Sequence, residues 1–258
     1  MDTLRAYSTA VITVIILPVL LILIYGAQWI NGSVLNVMVR SVELTLFASG
    51  LAALIDVVLL TPLAFHAAKS KNALLETAID LPASVPHPVV GIGVLLLFSQ
   101  YFPPGKFLVA HGFQVFDTLT GLVIALVLVS APVYVRSCAE AFSSVPKDVL
   151  ESFSTMGFGK WGQLVYIALP YARVSVLNSA LTAMSRAISE FGSVAIVAYY
   201  VLNPPFTGYK FGSVLIYEIF GYEGLQAAVS ASAVLVAIGG AIGLAARLVT
   251  LLNRRSGK

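Results

Sequence analysis

The sequence predicts an all-α, polytopic membrane fold, and three observations predict it. Of 258 residues, 59% are hydrophobic and only 10% are charged, whereas soluble domains carry roughly 25% charged residues. The mean hydropathy is +0.93, and the apolar content is spread over the whole chain. It falls in runs of roughly 20 residues, the length a helix needs to cross a hydrocarbon core about 30 Å thick. The runs lack the alternation of barrel strands, and unpaired backbone groups are costly in lipid, so helices are the spanning structure that remains.

About six spans are expected, at residues 9–30, 44–65, 85–102, 119–135, 174–201 and 225–248. The first follows Arg5 and lacks a small-x-small cleavage site, so it reads as a span and not a leader. Asp56, within the second, is expected to hydrogen-bond to a neighbouring helix. The third opens on Leu81-Pro82-Ala-Ser-Val-Pro86-His87-Pro88, where prolines interrupt backbone pairing and force a kinked or extended start. The fourth is unbroken. The fifth carries Arg186 and Glu190, one helical turn apart, which are expected to face each other or the bundle interior because a bare charge in lipid is costly. The last holds Gly239 and Gly243, a small-xxx-small spacing that permits close helix approach.

Sorting the fifteen Lys and Arg residues over alternating sides leaves only Arg40, Lys106 and Lys210 outside, with Arg186 within a span. Both termini are therefore expected on the cytoplasmic side. The formal charge of +3 and pI near 9.0 come from dispersed basic residues beside apolar stretches, a distribution suited to lipid head groups and not to nucleic acid. The single cysteine, Cys138, excludes an intrachain disulfide. His66, His87 and His111 have no ligand-spaced companion, so packing or interfacial roles are expected and metal binding is not. Gly105-Lys106 and Gly159-Lys160 are followed by Phe107 and Trp161 where a phosphate loop needs Ser or Thr. No nucleotide cofactor is expected on this chain, and its spans offer no catalytic constellation.

The longest cytoplasmic connection, residues 137–173, is expected to carry partner chemistry. Val149, Phe153 and Met156 fall at helical spacing, Pro146 can open a helix and Gly157 can close one, which predicts a short amphipathic helix along the inner face. A second segment, residues 159–168, presents Trp161 and Tyr166 as interfacial aromatics.

This loop resembles the signature of ABC importer permeases: Glu-Ala-Ala, three residues, Gly, nine residues, Ile, one residue, Leu-Pro. Glu151, Gly157, Ile167, Leu169 and Pro170 match every fixed position after the opening triplet, and Ser152-Phe153 replaces Ala-Ala. The stretch Ile188-Ser-Glu190-Phe-Gly192, followed by Ala198-Tyr-Tyr200, resembles the fifth helix of oxyanion permeases, those for tungstate and molybdate in particular; Val214 to Phe220 adds to the likeness. The likeness runs over residues 41–247.

The resemblance implies a type I importer permease: a core domain at 41–250, an N-terminal span with external loop at 1–40 and a cytoplasmic tail at 251–258. It implies an ATPase-coupling surface of Glu151, Ser152, Phe153, Met156, Gly157, Phe158, Leu169 and Pro170. A functional reading puts Arg186, Glu190, Pro86 and Pro88 on the translocation path; a packing pair is the alternative for the two charges. The implied partners are a second copy of the chain in a homodimer, two ABC ATPase subunits that hold ATP and Mg, an extracytoplasmic substrate-binding protein and membrane lipid. The implied cargo is tungstate or molybdate, ahead of sulfate, thiosulfate, phosphate or another small solute.

Overall fold

A computed structural model describes the backbone of residues 2–30, 32–70 and 72–256 and, apart from residues 2, 33 and 249–256, their side chains. Among the described residues the chain is helical without strands. The side chains of the expected tail, 251–258, lie outside the described residues, as does Lys71.

Helix α1 (Asp2–Trp29) precedes α2 (Gly32–Ile55), a π turn (Asp56–Leu60) and α3 (Thr61–Lys69). The last three run on as one 36-residue span from Val34, about 54 Å at 1.5 Å per residue. That exceeds the hydrocarbon core, so the span projects into the head groups or beyond. This corrects two expected boundaries, because α2 starts at Gly32 in place of residue 44 and leaves almost no external loop after α1. Hydropathy falls at Arg40 and Glu43, yet the helix continues there because the two exposed side chains pair at 3.1 Å across one turn.

The expected third span, 85–102, holds only α5 (His87–Leu97), and a helix not expected there, α4 (Ala73–Ser84), precedes it at a bend of 105°. Asn72 caps α4 by accepting from the Leu74 and Leu75 amides, and Arg136 ties α4 down through Asp80. The bend falls at Val85-Pro86, since the residue before proline avoids helical backbone and Pro88 suits the first turn of α5. Helix α6 (Pro103–Ala110) comes next, and then α7 (Leu119–Ser143), with Thr118 capping at Gly121. Helix α7 extends eight residues past the expected end at 135 and takes Glu140 out of the loop.

The short α8 (Lys147–Thr155) leads to α9 (Lys160–Gln163), a second π turn (Leu164–Ala168) and α10 (Leu169–Ile188). The fifth span thus covers Lys160–Ile188, a correction of the expected 174–201. The helix breaks at Ser189 to Phe191, and a six-residue α11 (Gly192–Val197) follows before α12 (Gly212–Glu223) and α13 (Leu225–Ser256). The apolar periodicity carries on through the break, which is why composition alone placed the span too late.

Each π turn stands directly before an X-Pro pair, Thr61-Pro62 and Leu169-Pro170. Proline lacks the amide that would bond back one turn, and its ring crowds the carbonyl four residues earlier. One extra residue in the turn relieves that crowding without ending the helix. The Thr61 hydroxyl donates to the freed Val57 carbonyl at 2.5 Å and lies 2.6 Å from the Tyr134 hydroxyl.

Helix α7 is the buried centre of the bundle and packs on α2, α3, α4, α5, α10 and α11. Around its C-terminal half, Tyr134, Cys138 and Phe142 pack with Phe65, Ile167 and Ala183, and Phe65 meets Phe142 edge-on at 5.6 Å. Cys138 is a buried free thiol within this cluster. Asp56 is fully buried, and its Oδ2 meets the Ser130 hydroxyl of α7 at 2.6 Å, the interhelical bond expected for it.

Among the described residues of this chain, a Cβ on Gly239 or Gly243 of α13 would meet nothing within 4 Å, so neither glycine makes a close helix approach within it. The close approach is made by Gly26 of α1, where a Cβ would fall 2.3 Å from the Ala233 Cβ and 2.8 Å from the Val229 carbonyl. Replacing Gly26 with Val is therefore expected to push α1 off α13 at about 1–3 kcal/mol, the usual cost of overpacking. A fall of several degrees in the thermal midpoint of the solubilised protein is the readout, and an unchanged midpoint would refute this packing.

Candidate functional site

Two neighbourhoods carry the residues singled out by sequence. The first is the surface around α8, at the end of the bundle expected to be cytoplasmic. Pro146 precedes α8 and Gly157 ends it at φ +87°, a left-handed backbone that favours glycine. The inward face of α8 is Leu150, which is buried, and Phe153, which is half-buried. The expected apolar face of Val149, Phe153 and Met156 is thus corrected: Val149 is exposed and Met156 is 70% exposed. Helical spacing identified the helix but could not tell which of two neighbouring apolar rows faces the bundle.

Glu151, Ser152, Gly157 and Phe158 are also exposed, so the expected coupling residues on α8 form one open surface. It is braced from behind. Phe158 stacks against Phe153 at 5.1 Å and meets Tyr166 at 5.9 Å, and Gln163 donates to the Ser154 hydroxyl at 2.6 Å. Gly162 makes room for the Phe158 ring, which a Cβ there would meet at 2.9 Å. Leu169 and Pro170 are not part of this surface; they lie beyond the second π turn, inside the fifth span. The segment 159–168, expected as a separate interfacial piece, is the first part of that span, with Trp161 and Tyr166 still exposed.

The second neighbourhood lies where α5, α10 and α11 meet. Glu190 sits in the break after α10 with no exposed surface, and four donors surround its carboxylate. Oε1 accepts from the Ser193 amide and the Ser193 hydroxyl, both at 2.9 Å. Oε2 is 2.9 Å from His87 Nδ1 and 3.1 Å from Arg186 Nη2. The Ser213 hydroxyl of α12 holds the Glu190 backbone carbonyl. Leaving such a buried charge unpaired typically costs about 3–5 kcal/mol, so the partners are not optional.

Arg186 also reaches His87 Nε2 at 2.9 Å and donates to the Ser189 hydroxyl at 3.2 Å. Arg186 Nη2 also lies 3.1 Å from His87 Nδ1, so both ring nitrogens face the guanidinium, and Nδ1 stands between it and the Glu190 carboxylate. The expected pairing of Arg186 with Glu190 is therefore present, and His87 joins it. Sequence reasoning gave His87 only a packing role. It stands 99 residues from Arg186, so no local spacing could have linked them; the one available signal was a histidine flanked by two prolines at the mouth of a span.

Glycine makes the cluster possible. A Cβ on Gly91 of α5 would fall 2.8 Å from the Ser193 carbonyl, and one on Gly192 would fall 2.8 Å from the Pro88 ring. Helices α5 and α11 touch at these two points, which sets His87 beside Glu190. The cluster borders a cleft of about 660 Å³ whose walls include Ala83, Pro86, Pro88, Arg186 and Gly192. All four expected path residues thus border one cleft, Glu190 from behind and the others at its surface. No group of three or more metal-ligating side chains occurs among the described residues.

A Gly91→Val exchange should force α5 away from α11 and break the His87 contact with Glu190. A cost of about 1–3 kcal/mol is expected as a lower thermal midpoint, while Gly93→Val, at a position with nothing within 4 Å, should cost far less. Equal effects at both positions would show that the close approach is unimportant.

A bundle of membrane-length helices carries a braced short helix and an ion-paired cleft, and its relatives give the class, a transport permease. The model of the family described as "Binding-protein-dependent transport system inner membrane component" matches residues 57–258, and the chain belongs to that family. It is 27% identical to the molybdate/tungstate transport system permease protein WtpB of Thermococcus kodakarensis, over 97% of this chain and 95% of that protein. It is 30% identical to the WtpB of Pyrococcus abyssi, over 78% of this chain and 73% of that one. The sulfate permease CysW of Synechococcus elongatus is 27% identical over 72% of this chain and 63% of its own length.

Among solved structures, a chain of the MetNI methionine ABC transporter in inward-facing conformations superposes with a TM-score of 0.62 at 16% identity, covering 86% of this chain and 99% of that one. The fold is that of a type I ABC importer permease.

Proposed function

We propose that this permease carries tungstate or molybdate into the cell, taking the ion from an extracytoplasmic binding protein and drawing energy from a separate ATPase. The observation that carries this reading is a guanidinium at the edge of an open, proline-walled cleft, in a chain similar along nearly its whole length to permeases named for those two anions. Arginine presents a planar fork of donors that matches the oxygens of a tetrahedral anion. Sulfate is the second reading, favoured by the similarity to CysW.

On this reading the chain binds no nucleotide or metal of its own and performs no hydrolysis. Two copies enclose one path, with Arg186, Glu190, Pro86 and Pro88 at its wall, and two ABC ATPases dock on the cytoplasmic side. Both termini are cytoplasmic, the first span precedes a core at 41–250, and residues 251–258 form a tail. The exposed surface from Glu151 to Phe158 takes the push of the ATPase, and the Leu169-Pro170 join passes it into α10 as a rigid-body movement. Of the two residues that stand where the signature has alanines, Ser152 faces that contact and Phe153 packs behind it.

Proteoliposomes holding the permease with its ATPase and binding protein test the cargo. Uptake driven by ATP is expected for tungstate and molybdate at concentrations where sulfate at equal concentration does not compete; uptake of sulfate alone would refute the assignment. A Gly157→Val exchange would strain the left-handed turn by about 1–2 kcal/mol and displace the α8 terminus. It is expected to cut uptake about 10-fold or more and to weaken ATPase binding, and full uptake with normal assembly would refute the coupling role.

A further inference from the structure

The donors around Glu190 are unequal in what else they do. Ser193 contributes from the first turn of α11, where backbone and hydroxyl are fixed together and the residue is fully buried. His87 contributes from the first residue of α5, locked against α11 by Gly91 and Gly192. Arg186 contributes from the end of a long side chain that remains 26% exposed, whereas the Glu190 side chain is wholly covered. Removing Arg186 from this carboxylate leaves both Ser193 hydrogen bonds and the adjacent His87 ring in place. Removing His87 or Ser193 leaves the flexible arm as a main restraint.

Arg186 is also under-used. A guanidinium has five N–H donors, and only Ser189, Glu190 and His87 receive from it among the described residues. Its remaining donors belong to a side chain on the wall of the cleft. Because the Arg186 and Glu190 charges cancel, the pair draws an anion weakly, which suits a site that must release what it receives.

We infer that Arg186 is an exchangeable anion contact that swings from Glu190 to a passing tetrahedral oxyanion, while His87 and Ser193 act as positioning residues that hold Glu190 in place. This rests on the transport reading above. When the arm leaves, Arg186 trades one anion for another, and the buried carboxylate keeps the Ser193 amide and hydroxyl with the His87 ring beside it. Glu190 then draws Arg186 back and returns the ion to the path. His87 Nε2, which loses its donor when the arm leaves, is on a side chain 32% exposed and can take one from water.

The test uses the assembled permease, ATPase and binding protein in proteoliposomes and reads tungstate imported per ATP hydrolysed, together with tungstate retained by the solubilised complex after gel filtration. Arg186→Gln is expected to lower the import ratio about 10-fold with no retained ion. Glu190→Gln is expected to lower it with ion retained, because no carboxylate then pulls the arm back. His87→Leu should fall to the level of Arg186→Gln, and His87→Asn, which keeps a donor toward Glu190, should recover most of that loss. Equal damage from His87→Leu and His87→Asn, or no retention with Glu190→Gln, overturns the inference. Should those variants fail to assemble, Arg186→Lys decides. It keeps the charge without the fork and is expected to lower the ratio about threefold; an unchanged ratio overturns the inference. Failure of the wild-type complex to import tungstate would instead count against the cargo.

Discussion

A carboxylate with no exposure to solvent, deep in an apolar bundle, must be fully paired or it unfolds its surroundings. Glu190 meets that condition with four donors drawn from three helices, and satisfying it dictates much of the nearby architecture. Helix α10 has to stop at Ile188 so that the Glu190 side chain can turn toward the first turn of α11. Helix α5 has to approach α11 closely enough for His87 to reach, which only glycine at 91 and 192 allows. The sharp bend between α4 and α5 is a consequence, since a straight third span would carry His87 past the carboxylate.

The α8 surface and this cluster are joined by one continuous element. The span Lys160–Ile188 begins three residues after Gly157 and ends two residues before Glu190, a length of about 44 Å at 1.5 Å per residue. A helix of that length moves as a rod unless something softens it, and the candidate is the π turn at Leu164–Ala168. The same device recurs at Asp56–Leu60, again just before a proline, and α3 packs against the second π turn. Two adjacent helices are thus interrupted near one level of the bundle. Such interruptions retain hydrogen bonding through an altered register instead of breaking the helix, so they bend without exposing backbone to lipid.

The legibility of this fold in its sequence divides along a physical line. Helical class, the existence of most spans, α8 with its Pro146 and Gly157 ends, and the pairing of Arg186 with Glu190 were readable, because each depends on residues within a turn or two of one another. Boundaries were misread wherever the chain leaves lipid while staying helical, as at Gly32 and Ser143, or stays apolar while ceasing to be helical, as at Ser189. Hydropathy reports the solvent, and here solvent and backbone change at different residues. The tertiary contacts were unreadable. Gly26 against Ala233 was missed while Gly239 and Gly243 were favoured, since small residues permit close approach but do not specify it.

His87 shows the same limit at the site itself. A histidine between prolines has no periodic companion, and its two partners arrive from the far end of the chain through the packing of α5 on α11. Its position also bears on how the cluster differs from an ordinary buried pair. A pair that serves only to fix helix packing needs no third group and no opening, and replacing it with apolar residues is often harmless. Here both features are present: a third group beside both partners, and a cleft that the arginine and the histidine both border. The prolines flanking His87 deny the cleft wall a backbone donor at positions 86 and 88, so among the residues that border it the guanidinium carries the only positive charge independent of histidine protonation. An anion entering the cleft would meet that charge or none.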